Sequence, residues 1–361
     1  MNYDNLCMSC FREAGDEICK YCGYVEPEKR RSSLLPARTL LNSRYLVGEV
    51  TGVDKSVVEY KAWDTVNNCM VEIQEYYPRG IASRDSGSLD VTVTSQDDRD
   101  SYKKNIRTIR TNAVKMQSFS GSPYIVNIFD CFESYNTVYI VKEYIEGMLL
   151  SDFIESYGGK VDTETAVSIA VPVLEGLSQL HKAGLVHRAI SPKSIIITTD
   201  NEIKISNFRF LKDASPYKDE NMTVHFSIGF APPEQYKTRS KQGAFSDIYS
   251  VGAVLYKMLT GDRPDDALER MSADNLVSPK SLNPDIPDSV SISVMKALNM
   301  TPELRFKTAA DFKNCLLEKK EVVDVDSELI NMKTKKFNNT TIALLALVVA
   351  VAGIIIYFLL D

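Results

Sequence analysis

Four of the chain's seven cysteines lie within its first 22 residues, where they form two C-x-x-C pairs. The pairs are Cys7 with Cys10 and Cys19 with Cys22. Thiolates at this spacing are typical zinc ligands, and Gly23, directly after the second pair, gives the permissive backbone that such a turn needs. Because protein would fill all four coordination positions, we predict a structural zinc ribbon over residues 1–26 rather than a catalytic zinc. A redox pair and incidental cysteines are the alternatives.

The charge balance and the other cysteines limit the class of protein. The formal net charge is −6, which gives no basis for nucleic acid as the main partner. Within the ribbon, Arg12 and Lys20 stand among acidic residues, so we expect a structural or protein-binding role there. The three remaining cysteines are scattered, a pattern typical of reduced thiols in the cytosol rather than of a disulfide framework.

The other end of the chain is strongly apolar. Residues 342–360 are 19 residues without a charge, and a helix of that length spans roughly 28 Å, about one hydrocarbon core. We therefore predict a single transmembrane helix rather than a buried core helix, preceded by a juxtamembrane linker over residues 319–341. Three lysines precede this segment and only Asp361 follows it, so the positive-inside rule places the rest of the chain in the cytoplasm.

The residues between these two ends are predicted to form one α+β domain after a charged linker at residues 27–42. From Arg44, five short runs of alternating polarity predict a small antiparallel sheet, interrupted by one helix over residues 98–119. After Gly147 the chain becomes mainly helical, with an amphipathic helix over residues 163–183 that Asp162 caps. These patterns predict a strand lobe and a helical lobe with a cleft between them.

A polar loop lies between two apolar segments at residues 185–197, LVHRAISPKSIII, with the spacing of the loop H-R-D-x-x-x-x-N. Seven further motifs accompany it in a fixed order: VEIQEYYPRG (71–80), IVKEYIEG (140–147), ISNF (205–208), GFAPPEQY (229–236), SDIYSVG (246–252), LTGDRP (259–264) and Arg305. Together they resemble the protein-kinase fold, especially bacterial serine/threonine kinases of eukaryotic type. The resemblance covers residues 43–318 and implies the same two-lobed fold.

The resemblance also identifies the positions at which such a kinase performs phosphoryl transfer. It puts the phosphate-binding lysine at Gln74, the glutamate that holds this lysine at Asn112, and the catalytic base at Ala189. The two metal-binding positions are Ser194 and Asn207. All five polar roles are replaced, so we expect no catalytic residues, and ATP and Mg²⁺ binding that is weak or absent.

The nucleotide cradle is similarly degenerate. The glycine loop G-x-G-x-x-G falls on Gly52, Asp54 and Val57, so only its first glycine remains. The two positions that would sandwich adenine are Glu59 and Glu72, and a carboxylate buried without a partner costs several kcal/mol. The expected remnant of the nucleotide site lies near Gly52, Gln74 and Asn207.

The residues that the resemblance implies to be structural are retained. Asp247 is expected to hold the backbone of the polar loop, and Glu234 is expected to form a buried ion pair with Arg305. His187 and Phe208 are predicted to pack in an apolar column with Met116 and Ile128, so we interpret His187 as a packing residue rather than a base. Arg79 and Arg84 are predicted to be turn and lobe-packing residues.

The structural residues of the kinase fold are retained and its catalytic residues are replaced, which favours one function over two others. The sequence predicts a membrane-anchored pseudokinase that acts as a signalling scaffold or allosteric partner of other proteins, such as another kinase, on the cytoplasmic face of the cell membrane. The alternative is a weakly active serine/threonine kinase in which Lys193 or Lys61 replaces the missing charges. A nucleic-acid-reading ribbon is the third hypothesis.

Overall fold

The computed structural model describes residues 3–13, 17–28, 30–208, 227–236 and 240–318. The predicted juxtamembrane linker at 319–341 and transmembrane helix at 342–360 lie outside the described residues. Within the described ranges, no helix is both long enough and apolar enough to cross a membrane.

Short strands come first along the chain and helices later. The strands are β1 Leu40–Leu41, β2 Tyr45–Val53, β3 Val57–Asp64, β4 Cys69–Tyr76, β5 Ala82–Ser83, β6 Thr92–Val93, β7 Ile128–Ser134, β8 Thr137–Glu143, β9 Gly147–Leu149, β10 Ile195–Thr198 and β11 Ile203–Ile205. The helices are α1 Gln96–Gln117, α2 Leu150–Ser156, α3 Thr163–Lys182, α4 Ala244–Thr260, α5 Ala267–Ser272, α6 Pro279–Leu282, α7 Asp288–Ala297 and α8 Ala309–Leu316.

The N-terminal lobe is built on a six-stranded antiparallel sheet in the order β1-β2-β3-β4-β8-β7. Its five long strands are the five runs of alternating polarity, and the predicted helix is α1, which packs on β7 and β8. Along β3, Val58, Tyr60 and Ala62 are buried and alternate with more accessible residues, as the two-residue period of a strand requires. The predicted strand lobe with one helix is confirmed.

The C-terminal lobe is helical, with α3 and α4 at its centre. Asp162 caps α3 by accepting a hydrogen bond from the backbone N–H of Thr165, so this prediction is confirmed. Most residues of α4 are buried because the helix is surrounded by α3, α6, α7 and α8. A three-stranded sheet, β11-β10-β9, lies at the edge of this lobe and frames the polar loop.

A buried ion pair of the N-terminal lobe also holds the connector, which is the linker at residues 27–42. Arg84 binds the Glu75 carboxylate, and both side chains are almost fully enclosed. The same carboxylate accepts hydrogen bonds from the hydroxyl groups of Tyr60 at 2.9 Å and Tyr139 at 2.8 Å. Arg84 also donates to the Ser33 carbonyl at 2.9 Å. Every charged oxygen therefore has a partner, as a buried ion pair requires.

The cysteine-bearing segment packs directly against the sheet at Gly48. A Cβ atom at this position would lie 2.3 Å from the Met8 carbonyl oxygen, so only glycine allows the two backbones to approach. The Glu49 N–H donates to that carbonyl at 2.6 Å. Met8 is fully buried, and Phe11 contacts Trp63 with ring centroids 5.9 Å apart. The segment is thus packed onto the lobe rather than separated from it.

We expect Arg84→Met to lower the free energy of unfolding by about 3–5 kcal/mol, because it leaves the Glu75 carboxylate buried without a cation. Chemical denaturation measures the loss. The double variant Arg84→Met, Glu75→Leu should lose less, since no unpaired charge remains. Arg110→Met, which removes a pair that is about half exposed on both sides, is the matched control and should cost about 0–1 kcal/mol. Equal losses at both sites would contradict this account.

Candidate functional site

The polar loop between Leu185 and β10 is held by one buried carboxylate. Asp247, in the first turn of α4, accepts the backbone N–H of His187 at 2.8 Å and that of Arg188 at 2.7 Å. The imidazole Nε2 of His181 lies 2.8 Å from the same carboxylate. Arg188 has a φ of 64°, a left-handed conformation that is costly for a non-glycine residue. Asp247 thus fixes a strained turn by satisfying its N–H groups.

His187 is a buried, neutral packing residue at the floor of the cleft. The Ala189 N–H donates to Nδ1 at 3.2 Å, so the ring proton is on Nε2, which donates to the Ser206 carbonyl at 2.8 Å. Burial lowers the pKa of His187 from 6.5 to about 4. Its ring centroid lies 4.8 Å from that of Phe208, and Met116 and Ile128 are buried in the same core. Both ring nitrogens are occupied, so neither can take a substrate proton.

The side chain of Ser194 is also fully used within the loop. Its hydroxyl donates to the Ser191 carbonyl at 3.0 Å and accepts the Ser191 N–H at 3.0 Å. Ser194 is completely buried. Metal coordination by this oxygen would break the hydrogen bonds that shape the turn.

Asn207 offers the cleft a different kind of oxygen. Its φ is 62°, a left-handed conformation that asparagine tolerates better than most residues. Within the described residues, its Oδ1 is buried without a hydrogen-bond partner. Neither Ser194 nor Ala189 has a carboxylate that could add a charged metal ligand to this neutral oxygen. Gln74 is buried in β4, and Asn112 is half-buried on α1.

A cluster of three charged side chains lies where the resemblance puts the adenine pocket. Lys142 Nζ lies 2.6 Å from Glu72 Oε1 and 3.3 Å from Glu59 Oε1. Burial alone would lower the pKa of Lys142, but the two carboxylates outweigh it and raise that pKa above its ordinary value. The Lys142 side chain is 9% exposed, whereas those of Glu59 and Glu72 are 25% and 28% exposed, so the ammonium group is buried and the carboxylates are partly open to water.

Lys142 was not predicted from the sequence. Glu59 and Glu72 are predicted to be carboxylates that would face a purine, whereas the strand register pairs Glu72 directly with Lys142. The signal was present in IVKEYIEG, where a lysine occupies a buried position of an otherwise apolar strand. A buried lysine requires an anionic partner, and two glutamates on the neighbouring strands were available.

The hairpin between β2 and β3 replaces an open glycine loop. The Asp54 N–H donates to the Val57 carbonyl at 2.9 Å, and the Tyr77 N–H donates to the Ser56 carbonyl at 2.8 Å. A Cβ atom on Gly52 would lie 2.8 Å from Glu59 Oε2, so the glutamate side chain packs over this glycine. The turn is therefore fixed by its own backbone contacts and lies under a carboxylate.

The link between the lobes carries a second ion pair directly after Lys142. Lys204 Nζ, from β11, lies 2.6 Å from Glu143 Oε1. Glu143 Oε2 accepts from the Asn127 side chain at 2.9 Å. Adjacent residues of β8 are thus bound in opposite directions: Lys142 to strands of the N-terminal lobe and Glu143 to the C-terminal lobe.

The ion pair expected below the cleft is present. Arg305 binds both carboxylate oxygens of Glu234, at 2.8 and 3.1 Å, and neither side chain is more than 6% exposed. Ser246 donates to the same carboxylate at 2.8 Å, and the Arg305 guanidinium lies over the Tyr249 ring. The geometry is bidentate, which suits guanidinium and carboxylate.

The four N-terminal cysteines converge on one point, with their sulfur atoms all within 4.8 Å of one another. Cys7 and Cys22 are 3.6 Å apart at sulfur, as are Cys10 and Cys19. Four thiolates at about 2.3 Å from a tetrahedral zinc ion lie about 3.8 Å apart, so this cluster could hold zinc. Gly23 has a φ of 73°, the permissive conformation expected of it.

The fold and the polar loop together define a two-lobed, protein-kinase-like domain. A family model described as the protein kinase domain matches residues 86–323, more than half of the chain. The chain therefore belongs to the protein kinase domain family, and its relatives are bacterial serine/threonine kinases of eukaryotic type.

Curated relatives and solved structures agree with this assignment. A probable serine/threonine-protein kinase of Clostridium acetobutylicum is 30% identical over 309 residues, which is 83% of this chain and 42% of that protein. The serine/threonine-protein kinase PrkC of Bacillus subtilis is 33% identical over 216 residues, 57% of this chain and 32% of PrkC. The chain thus spans less than half the length of these relatives.

Two solved structures share the fold. The structure titled PpkA-294 apo form aligns with a TM-score of 0.68 and 24% identity, over 79% of this chain and all of that one. The Mycobacterium tuberculosis PknI kinase domain aligns with a TM-score of 0.58 and 16% identity, over 80% of this chain and all of the other.

We expect the stability of the protein to decrease between pH 6.5 and about 4 partly because of His187. Unfolded histidine binds a proton below about pH 6.5, whereas the folded side chain resists protonation until about pH 4. The unfolded state therefore binds more protons in this window, and acidification should remove about 3 kcal/mol of folding free energy through this group.

Urea denaturation across this pH range, compared between the parent protein and His187→Gln, isolates the contribution. Glutamine can still donate to the Ser206 carbonyl but does not titrate, so its stability curve should be shallower. Parallel curves for the two proteins would show that the histidine does not carry this dependence.

Proposed function

We propose that the chain is a membrane-anchored pseudokinase, a kinase-like domain that binds protein partners at the cytoplasmic face of the membrane without transferring phosphate. The observation that carries this proposal is the Lys142 cluster. The side chains of Lys142, Glu59 and Glu72 use the positions that would enclose adenine, and they are satisfied by one another. A purine entering there would have to separate buried opposite charges, which costs several kcal/mol.

The metal-binding positions support the same conclusion. Mg²⁺ in nucleotide sites is usually held by one or two carboxylates together with phosphate oxygens. Here the Ser194 hydroxyl is used within its own turn, and Asn207 offers only a neutral amide oxygen. The residues present therefore fit ATP with Mg²⁺ poorly, and the Ala189 methyl group cannot accept a proton.

The retained scaffold supports a binding role. Asp247 and the Glu234–Arg305 pair satisfy buried groups regardless of whether a nucleotide is present. A scaffold or allosteric partner requires the shape of the fold but not its chemistry. We propose that the protein it binds is a folded kinase. The predicted helix at 342–360 would keep the domain at the membrane; it lies outside the described residues.

We further propose that the cysteine cluster holds a structural zinc ion. Cys7, Cys10, Cys19 and Cys22 supply four sulfur ligands and leave no open position for catalysis. When bound, zinc would supply folding free energy to a segment with little apolar core of its own. Packing at Gly48 would pass part of that stabilisation to the N-terminal lobe.

One observation favours the alternative, a weakly active kinase. The unpartnered Oδ1 of Asn207 could be a ligand for a metal ion. The two lysines proposed as substitutes are poorly suited, however. Lys61 binds Glu49 and the Ser9 hydroxyl at the cysteine-bearing segment, and Lys193 is exposed.

We expect ATP with Mg²⁺ to leave the melting temperature of the protein unchanged. The triple variant Lys142→Met, Glu59→Val, Glu72→Ala replaces the charged cluster by apolar walls, so it should bind a fluorescent ATP analogue about tenfold more tightly or better, a gain of about 1.4 kcal/mol. Neither protein should transfer phosphate, because the base and the metal ligands are still missing.

Arg110→Met is the control for a change of surface charge and should bind no more analogue than the parent. A magnesium-dependent shift in the melting temperature of the parent protein with ATP would overturn the pseudokinase proposal, as would phosphate transfer above that of a mock preparation.

We expect about one zinc ion per chain by elemental analysis, and Cys10→Ser should lose it. Cys69→Ser, which removes an exposed thiol outside the cluster, is the matched control and should keep the metal. Gly48→Ala should also keep zinc but release the segment, making residues 27–42 more sensitive to protease. Equal zinc content in all four proteins, including none, would contradict the zinc site.

A further inference from the structure

A cavity of about 560 Å³ lies where the cysteine-bearing segment, the connector and β2 meet. Its wall combines two kinds of side chain. Its lining includes three arginines and four aliphatic side chains, and we call the site the arginine cavity: Arg30, Arg31, Arg79, Val25, Leu34, Val50 and Val53. It includes none of Gln74, Ser194 and Asn207, so it is separate from the kinase-like cleft.

The arginines are placed by fixed backbone contacts. Arg30 donates to the carbonyl oxygens of Leu35 at 3.1 Å and Gly48 at 2.7 Å, which holds its guanidinium against the lobe. The Arg79 N–H donates to the Lys55 carbonyl at 2.7 Å, beside the β2–β3 turn. The Arg31 carbonyl accepts the Leu34 N–H at 2.9 Å and closes a turn of the connector. The backbone positions of the three charges are therefore set before any ligand binds.

The cavity is positively charged although the whole chain has a net charge of −6. Within the part of the chain that the structure describes, the side chains of Arg31 and Arg79 have neither an ion pair nor a hydrogen-bond partner, and the contacts of Arg30 are with uncharged groups. Glu49 also lines the cavity, but its carboxylate is bound by Lys61 at 2.9 Å and by the Ser9 hydroxyl at 2.7 Å. Lys61 thus offsets the charge of Glu49, and the three guanidinium groups outnumber this carboxylate.

We propose that the arginine cavity binds a phosphorylated serine or threonine of a partner protein. Guanidinium groups match the oxygens of a phosphate in bidentate geometry, and clusters of arginines are a recurrent means of recognising phosphorylated peptides. Leu34, Val50 and Val53 provide an apolar wall for an aliphatic residue next to the phosphate, and Val53 is 41% exposed without a ligand. The volume suits a short peptide segment.

Two other occupants fit the site less well. A nucleic acid would need a basic stripe along its backbone, whereas these charges lie in one cavity of an acidic chain. An anionic lipid headgroup would need the cavity to face a membrane surface, and the aliphatic walls of the cavity favour a side chain instead. Binding of lipid becomes one outcome of the test.

The test is fluorescence anisotropy with the full chain and a labelled peptide pool that has a fixed central phosphothreonine with valine, leucine or isoleucine on either side. We expect saturable binding that weakens as salt is added. Arg31→Ala and Arg79→Ala should each weaken it about tenfold or more, with unchanged melting temperatures because both side chains are exposed. Arg107→Ala, an exposed arginine on α1, is the matched control and should bind like the parent.

Three further probes complete the experiment: the same pool with unmodified threonine, inorganic phosphate alone, and phosphatidylserine vesicles. Equal binding of the unmodified pool, the absence of saturable binding, or binding unaffected by the arginine variants would overturn the proposal. Binding of vesicles but not of peptides would assign the cavity to lipid and overturn it as well. These outcomes do not depend on whether the cleft binds ATP, so they separate this proposal from that of the pseudokinase.

Discussion

The pairing of Lys142 with two carboxylates is the interaction on which the cleft depends. A lysine at this depth is stable only beside anions, and here it has Glu72 on the adjacent strand and Glu59 one strand further. Removing the lysine would leave two carboxylates together, and removing both glutamates would leave a buried ammonium group alone. The same contacts that stabilise the sheet therefore lie where the resemblance puts the adenine pocket.

The contrast between retained and replaced residues follows from what each side chain touches. Asp247 and Arg305 bind groups of the protein itself, including backbone N–H and carbonyl groups that are costly to leave unsatisfied when buried. The positions now occupied by Ala189 and Asn207 would serve a nucleotide, a metal ion or a substrate. Loss of the first group would destabilise the fold, whereas replacement of the second leaves the internal contacts of the fold in place.

The sequence predicted those features that depend on local pattern or on motif order. Alternating polarity identified the five long strands, and Asp162 identified the start of α3. It could not reveal Lys142 as a partner of Glu72, because β4 and β8 are distant in the chain and their pairing appears only once the sheet has formed. Gly48 was not predicted as a contact, and the packing role predicted for Arg84 did not include its bond to Ser33, for the same reason: each contacts a segment far away in sequence.

The adjacent charges of β8 also specify how that strand can pair. Successive side chains of a strand point to opposite faces, so a slip of one residue would move both Lys142 and Glu143 to the opposite face. A slip in one direction would put Glu143 at the place of Lys142, beside the carboxylates of Glu59 and Glu72. A slip in the other direction would put Lys142 at the place of Glu143, beside the ammonium group of Lys204. Two neighbouring residues of opposite sign thus penalise misalignment of this strand in either direction.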